Sequence, residues 1–257
     1  MAKIGADFIK FLGTAGARFV MIKQLRASGG IWISTAGEKL LIDPGPGSIV
    51  RCAASRPKLD PLQLDAIILT HRHLDHSGDI NVMIEAMTSG GFKKRGEVFC
   101  PKDAVSVDTV ILKYAKRFPQ KISFLKPKSN YSVGKFNFST SMRHIHPAET
   151  YGLKFKLNGK KIALLTDTKY FKKLKDFYRN VDVLIISVVF FEPRPGIDHL
   201  SISDVETIIR ETKPKKAVLT HFGMTMLNAN PYLQAKKLSE KLGREVIAAY
   251  DGMTLNF

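Results

Sequence analysis

The chain is poor in cysteine: Cys52 and Cys100 are the only two among 257 residues, and they form no C-x-x-C pair. That excludes a disulfide framework and a cysteine-built zinc knuckle, and a reducing cytoplasm is the simplest setting. Long apolar runs are missing too. The longest, Val183–Phe191, has nine residues and contains Ser187, too short to span a membrane as a helix. It reads as a buried strand. The opening MAKIGADFIKF lacks the basic-then-apolar order of a secretory leader. No repeat of roughly 20–50 residues and no low-complexity linker divides the chain, so one domain is expected over 1–257. Acidic residues are scarce as well: 23 Asp and Glu stand against 40 Lys and Arg, a net charge of +17. The excess favours anionic partners: a phosphate ester, nucleic acid or an acidic surface. The basic residues are spread along the chain, with only short clusters such as Lys93-Lys94-Arg95, so most of them read as solvated surface.

Hydrophobic residues make up 44% of the sequence, enough for a large core. In the first half, strands are expected at Phe8–Leu12, Leu25–Thr35, Lys39–Asp43, Ala66–Thr70 and Glu97–Cys100, with Ala36-Gly37-Glu38 as a hairpin turn. Helices are expected at Asp79–Thr88 and Val105–Phe118. In the second half, strands are expected at Lys121–Leu125, Asn137–His144, Tyr151–Leu157, Lys161–Thr166, Val181–Phe191, Lys216–Thr220, Glu245–Ala249 and Met253–Phe257. Asn158-Gly159 is a strong hairpin signal. Helices follow at Ser201–Thr212, with Ser201 and Asp204 as a cap, and at Asn230–Leu242, with Pro231 at its first turn and Gly243 past its end. Strands leading and helices following in each half fit two sheets face to face with helices outside, an α/β architecture of αββα type.

The chemistry concentrates in Thr70-His71-Arg72-His73-Leu74-Asp75-His76. Four metal-competent side chains fall within six positions after an apolar strand, a density rarely incidental. Alternation puts His71 and His73 on one side of an extended segment. Asp75 and His76 sit where the chain turns into a helix and can face a second ion. His146, Asp167 and His221 each follow another strand, and loops at one rim of a sheet are where sites form.

In this order the motifs resemble the metallo-β-lactamase superfamily: Leu41-Ile42-Asp43-Pro44-Gly45, the His-x-His-x-Asp-His run, a lone His, a lone Asp and a final Thr220-His221. The resemblance covers nearly the whole chain. It implies the αββα sandwich and a hydrolase with two divalent ions, zinc first, with manganese or iron also suited to these ligands. One ion would take His71, His73 and His146, and the other Asp75, His76 and His221, with Asp167 between them and Asp43 supporting from behind. His146 is preferred to His144 because Tyr151-Gly152 follows it at the spacing seen in phosphodiesterase members. Class B β-lactamases commonly carry Cys where Asp167 stands, and the flavodiiron branch has Glu in place of His73, so phosphodiester or other ester hydrolysis is the implied chemistry. Asp198-His199-Leu200-Ser201 and Tyr250-Asp251-Gly252-Met253 are similar to cyclic phosphodiesterases and tRNA 3′-end endonucleases, which makes His199 a catalytic residue together with Asp75. His199, as imidazolium, would stabilise developing charge or protonate the leaving oxygen, with nearby lysines drawing in the anion. The expected substrate is a small or cyclic nucleotide-like phosphodiester. Alternatives are an endonuclease of the ribonuclease Z kind, a lactonase or thioesterase, or an idle metal- or nucleic-acid-binding scaffold.

Overall fold

Residues 7–35, 37–106 and 108–257 are described by the computed structural model. They build two seven-stranded sheets. The first contains β1 (Phe8–Phe11), β2 (Ile31–Ser34), β3 (Lys39–Ile42), β4 (Ala66–Ile68), β5 (Glu97–Cys100) and β6 (Lys121–Phe124) in sequence order. The second contains β7 (Asn130–Val133), β8 (Phe136–Arg143), β9 (Tyr151–Leu157), β10 (Lys160–Leu165), β11 (Val183–Ser187), β12 (Lys216–Thr220) and β13 (Glu245–Ala248). The last strand, β14 (Thr254–Asn256), returns to pair with β1. The helices are α1 (Ala17–Ile22), α2 (Ser48–Ala54), α3 (Leu74–Ser77), α4 (Ile80–Met87), α5 (Asp103–Ser106), α6 (Leu174–Tyr178), α7 (Ile202–Thr212), α8 (Met224–Asn228) and α9 (Pro231–Leu242).

Alternation along the central strands sets the layers. Ile162 and Leu164 of β10, with Val183 and Ile185 of β11, enter the core between the sheets, where they join Leu40, Ile42 and Ile68. The intervening Ala163, Leu165, Leu184 and Ile186 face the opposite way, onto residues of α6, α7 and α9. Leu41 and Ile67 do the same beneath α2 and α4. The result is the αββα sandwich. Each large apolar side chain buried this way contributes roughly 1.5–3 kcal/mol.

Strand direction then gathers the loops. β3 to β6 run parallel, as do β10 to β13. β8 is antiparallel to β9, which is antiparallel to β10, so β8 runs with β10. The C-terminal ends of β3, β4, β8, β10 and β12 therefore open on one rim. The sheets are tied there by Tyr151 N donating to Thr70 O (3.2 Å) and Phe222 N donating to Thr14 O (2.9 Å).

Several expected elements form as expected. Ser201 and Asp204 make a reciprocal capping box on α7, and Pro231 and Gly243 bracket α9. Asn158 and Gly159 turn β9 into β10 with positive φ. Cys52 and Cys100 are free and buried, and burial pushes both thiols up to about 12. No helix among the described residues is long and apolar enough to cross a membrane.

Other elements differ. The strand expected over Leu25–Thr35 is limited to Ile31–Ser34, because Gly29-Gly30 breaks it, with Gly30 at φ +77. The helix expected over Val105–Phe118 is replaced by α5 and a 3-10 turn at Ala115–Arg117. Asp108 at φ +44 interrupts it, and the β-branched Thr109-Val110-Ile111 run disfavours a helix. Val107 lies outside the described residues, as do residue 36 of the expected hairpin turn and residues 1–6 of the chain's opening. The expected strand Val181–Phe191 is shortened to β11, since Val189 and Phe190 leave the sheet to pair with Leu200. The edge strand β7 and the short helices α1, α2, α6 and α8 were not expected; each is too brief to show a period.

Candidate metal centre

The rim brings the seven proposed ligands together. Ligand atoms of His71, His73 and His146 lie within 4.8 Å of one another, as do those of Asp75, His76 and His221, and those of His71, His76 and Asp167. Asp167 lies between the two trios: its Oδ2 is 3.7 Å from His71 Nε2 and 3.6 Å from His76 Nε2, and its Oδ1 is 3.4 Å from His221 Nδ1. The β4 loop supplies four of these residues. The others come from the loops after β8, β10 and β12.

Hydrogen bonds behind the rings fix which nitrogen carries the proton. Thr70 N and Oγ1 donate to Asp43 Oδ1 (2.6 Å) and Oδ2 (2.7 Å). With its proton given to Asp43, Thr70 Oγ1 can only accept from His71 Nδ1, 3.2 Å away. His76 Nδ1 donates to Asp43 Oδ2 (2.9 Å), and His146 Nδ1 donates to the Asp198 carbonyl (3.0 Å). In the neutral rings, the Nε2 lone pairs of His71, His76 and His146 must therefore all point into the rim.

Those lone pairs fit a metal. His71 Nε2, Asp167 Oδ1 and His221 Nδ1 are buried without a hydrogen-bond partner. Leaving such a group unpaired costs roughly 1–3 kcal/mol. His76 Nε2 and His221 Nε2 face each other at 2.8 Å, and His146 Nε2 and His73 Nδ1 at 3.0 Å. Nitrogens converging with carboxylates in this way are a donor set for divalent zinc, manganese or iron.

The electrostatics divide the rings, disfavouring a proton on His71 and His73 and favouring one on His76. Burial, reinforced by neighbouring His146, lowers His73 to about 4, so it is neutral at pH 7. Burial holds His71 well below its ordinary range. Burial alone would also lower His76, but Asp75, Asp43 and Asp167 outweigh it and hold that ring well above its ordinary value. Burial would raise Asp75 and Asp167; His76 and His221 reverse this for Asp75, and His221, His199 and His76 do so for Asp167. The rim is thus locally anionic within a cationic protein.

The remaining candidates fall around this cluster. His199 Nδ1 lies 3.5 Å from Asp167 Oδ2, with the ring 5.1 Å from that of His146. Burial lowers its pKa against the pull of Asp167. His144 points away: its Nδ1 donates to Asp167 O (3.1 Å) and its Nε2 accepts from Tyr178 Oη (2.8 Å). Among the described residues that line the cleft over the rim the basic side chain is Arg18, and Lys169 pairs with Asp198 beside His199 (3.5 Å).

Sequence reasoning gives Gly16 and Ala17 no role at the rim and names Gly45 and Asp251 only within motifs. Ala17 N donates to Asp75 Oδ2 (3.1 Å). Gly16 packs so closely that a Cβ there would lie 2.1 Å from His221 O, and one at Gly45 would lie 2.2 Å from Asp75 O. Asp251 braces the same loop, accepting from Thr14 N (2.9 Å), Thr14 Oγ1 (2.7 Å) and Ala27 N (2.8 Å). The available signals were Gly13-Thr14-Ala15-Gly16 directly after a strand and the Asp251-Gly252 turn.

A family model described as the beta-lactamase superfamily domain matches residues 38–222. An uncharacterized protein of Methanocaldococcus jannaschii is 29% identical over 253 residues, covering 95% of this chain and 93% of its own. A ribonuclease Z of Thermoplasma volcanium is 24% identical over 276 residues, covering 87% of this chain and 89% of its own. The metallo-beta-lactamase fold protein YhfI from Bacillus subtilis, a solved structure, matches with a TM-score of 0.82 at 22% identity, covering 98% of this chain and all of its own.

Proposed function

The chain belongs to the β-lactamase superfamily, and on that premise we propose that it is a dinuclear metal-dependent phosphodiesterase acting on a small or cyclic nucleotide-like phosphodiester. The observation that carries this reading is the pair of ligand trios joined by a carboxylate, Asp167, with Nε2 of His71, His76 and His146 directed inward by the bonds at Nδ1. His71, His73 and His146 would hold one divalent ion and Asp75, His76 and His221 the other, with Asp167 reaching both. When bound, such ions supply Lewis acidity and a water acidic enough to be nucleophilic near neutral pH.

The protein's own residues do the positioning. Asp43 holds His76 through Nδ1, the Asp198 carbonyl holds His146, and Ala17 N fixes the Asp75 carboxylate. Such outer contacts set ring orientation and basicity. With Nδ1 of His199 turned toward Asp167, its Nε2 edge is left to exchange a proton with the leaving oxygen. The guanidinium of Arg18 supplies the cation that faces an anionic substrate in the cleft. The two free, buried cysteines suit a reducing cytoplasm.

The similarity to a ribonuclease Z favours a second reading, an RNA endonuclease. A cleft poor in lysine weighs against it, since phosphate-backbone binding rests on several cations. The test is turnover of bis-p-nitrophenyl phosphate by metal-stripped protein given Zn²⁺ or Mn²⁺, with a tRNA precursor assayed in parallel. Metal-dependent hydrolysis of the diester is expected. Cleavage of the precursor alone would move the assignment to the endonuclease, and turnover of lactones or thioesters alone would overturn both readings.

A further inference from the structure

We infer that α1 and Leu74 form a specificity wall that receives an apolar or planar ester group of the substrate, with Arg18 facing the single phosphate charge. This rests on the phosphodiesterase reading. A cleft of about 450 Å³ joins Asp167 and His199 to Arg18, Met21, Ile22 and Leu74. That volume suits one small organic group.

The core does not account for this wall. α1 reads Ala-Arg-Phe-Val-Met-Ile, and Val20 is its one buried residue. Ile22 is 67% exposed and Leu74 64% exposed. Clustered apolar side chains left open to water mark a place where something apolar binds. Leu74 stands between His73 and Asp75 in the chain, so it cannot drift from the reacting centre. Ala17 N, bonded to Asp75 Oδ2, pins the start of α1 to the same centre. A substrate held over the rim must therefore lie against the wall.

The charge at the cleft points the same way. The protein carries 40 basic residues, yet among the described residues the cleft is lined by one basic side chain, Arg18. One guanidinium matches one phosphodiester charge. The rest of the wall offers a polyanion nothing and offers an aryl group or a nucleobase a dry surface.

Binding to the metal-loaded protein tests the wall without requiring turnover. Calorimetric Kd values are measured for methyl(phenyl)phosphinate and dimethylphosphinate, which each carry one negative charge and have no ester bond to hydrolyse. The wild type is expected to bind the phenyl ligand about tenfold or more tightly. Ile22→Ser combined with Leu74→Ser should erase that preference with metal content unchanged, and Arg18→Gln should weaken both ligands alike. Equal affinities in the wild type, or a preference that survives in the double variant, overturns the inference. Because binding is read directly, a protein that keeps the preference but hydrolyses no phosphodiester sinks the phosphodiesterase reading and leaves the wall standing.

Discussion

The metal rim and the outer face of β8, β9 and β10 are opposites in charge. At the rim, Asp43, Asp75 and Asp167 are gathered among histidines, and Arg18 is the basic residue lining the cleft. On the outer face, a groove of about 810 Å³ is lined by Lys135, Lys154, Lys156, Lys161 and Arg179, with Asp176 as the acid among them. The net charge of +17 is therefore not aimed at the reacting centre. Buried carboxylates at short range attract cations into the rim, while the lysines act at a distance that salt screens. Charge counted over a whole sequence says little about the sign of the field inside a cleft.

Substitutions can sharpen or break that contrast. The largest effect is expected from Asp167→Ala or His73→Ala, which should remove turnover together with bound metal, read by metal analysis beside the diester assay. His199→Ala should lower kcat by about 10²-fold or more while metal content stays at the wild-type level; normal turnover would remove His199 from the mechanism. Asp43→Asn leaves every proposed ligand in place but weakens the hold on His76 and Thr70, so metal affinity should fall about 10–100-fold, read by competition with a chelating dye. The smallest effect belongs to the outer face. Replacing Lys135, Lys156 and Lys161 together with Gln should change kcat/KM for a small diester by less than about twofold at ~0.15 M salt and stability by less than about 0.5 kcal/mol per site. A large loss of kcat/KM there would mean that the basic face serves the cleft after all.

The difference between these regions also explains what the sequence made legible. His71, His73, Asp75 and His76 declare themselves because one short segment carries all four. His146, Asp167 and His221 are legible because each follows a strand, and strands that run in the same direction end on a shared rim. The layers follow from alternation at Ile162–Leu165 and Val183–Ile186. What could not be read depends on contacts between distant segments. Gly16 against His221, Ala17 against Asp75 and Asp251 against Thr14 join positions 58 to 237 residues apart. The charge state of His199 depends on burial, which its surroundings in the sequence do not reveal. The helix expected over Val105–Phe118 fails for a local reason, since one residue at positive φ, Asp108, outweighs an apolar pattern.

The claim beneath all of this is that the rim binds a pair of cations. Metal-stripped protein, dialysed to equilibrium against Zn²⁺ or Mn²⁺ and analysed for metal per chain, tests it most directly. The expected result is two ions per chain, with the stoichiometry reduced in Asp167→Ala. A folded wild-type protein that takes up no divalent metal would contradict the account.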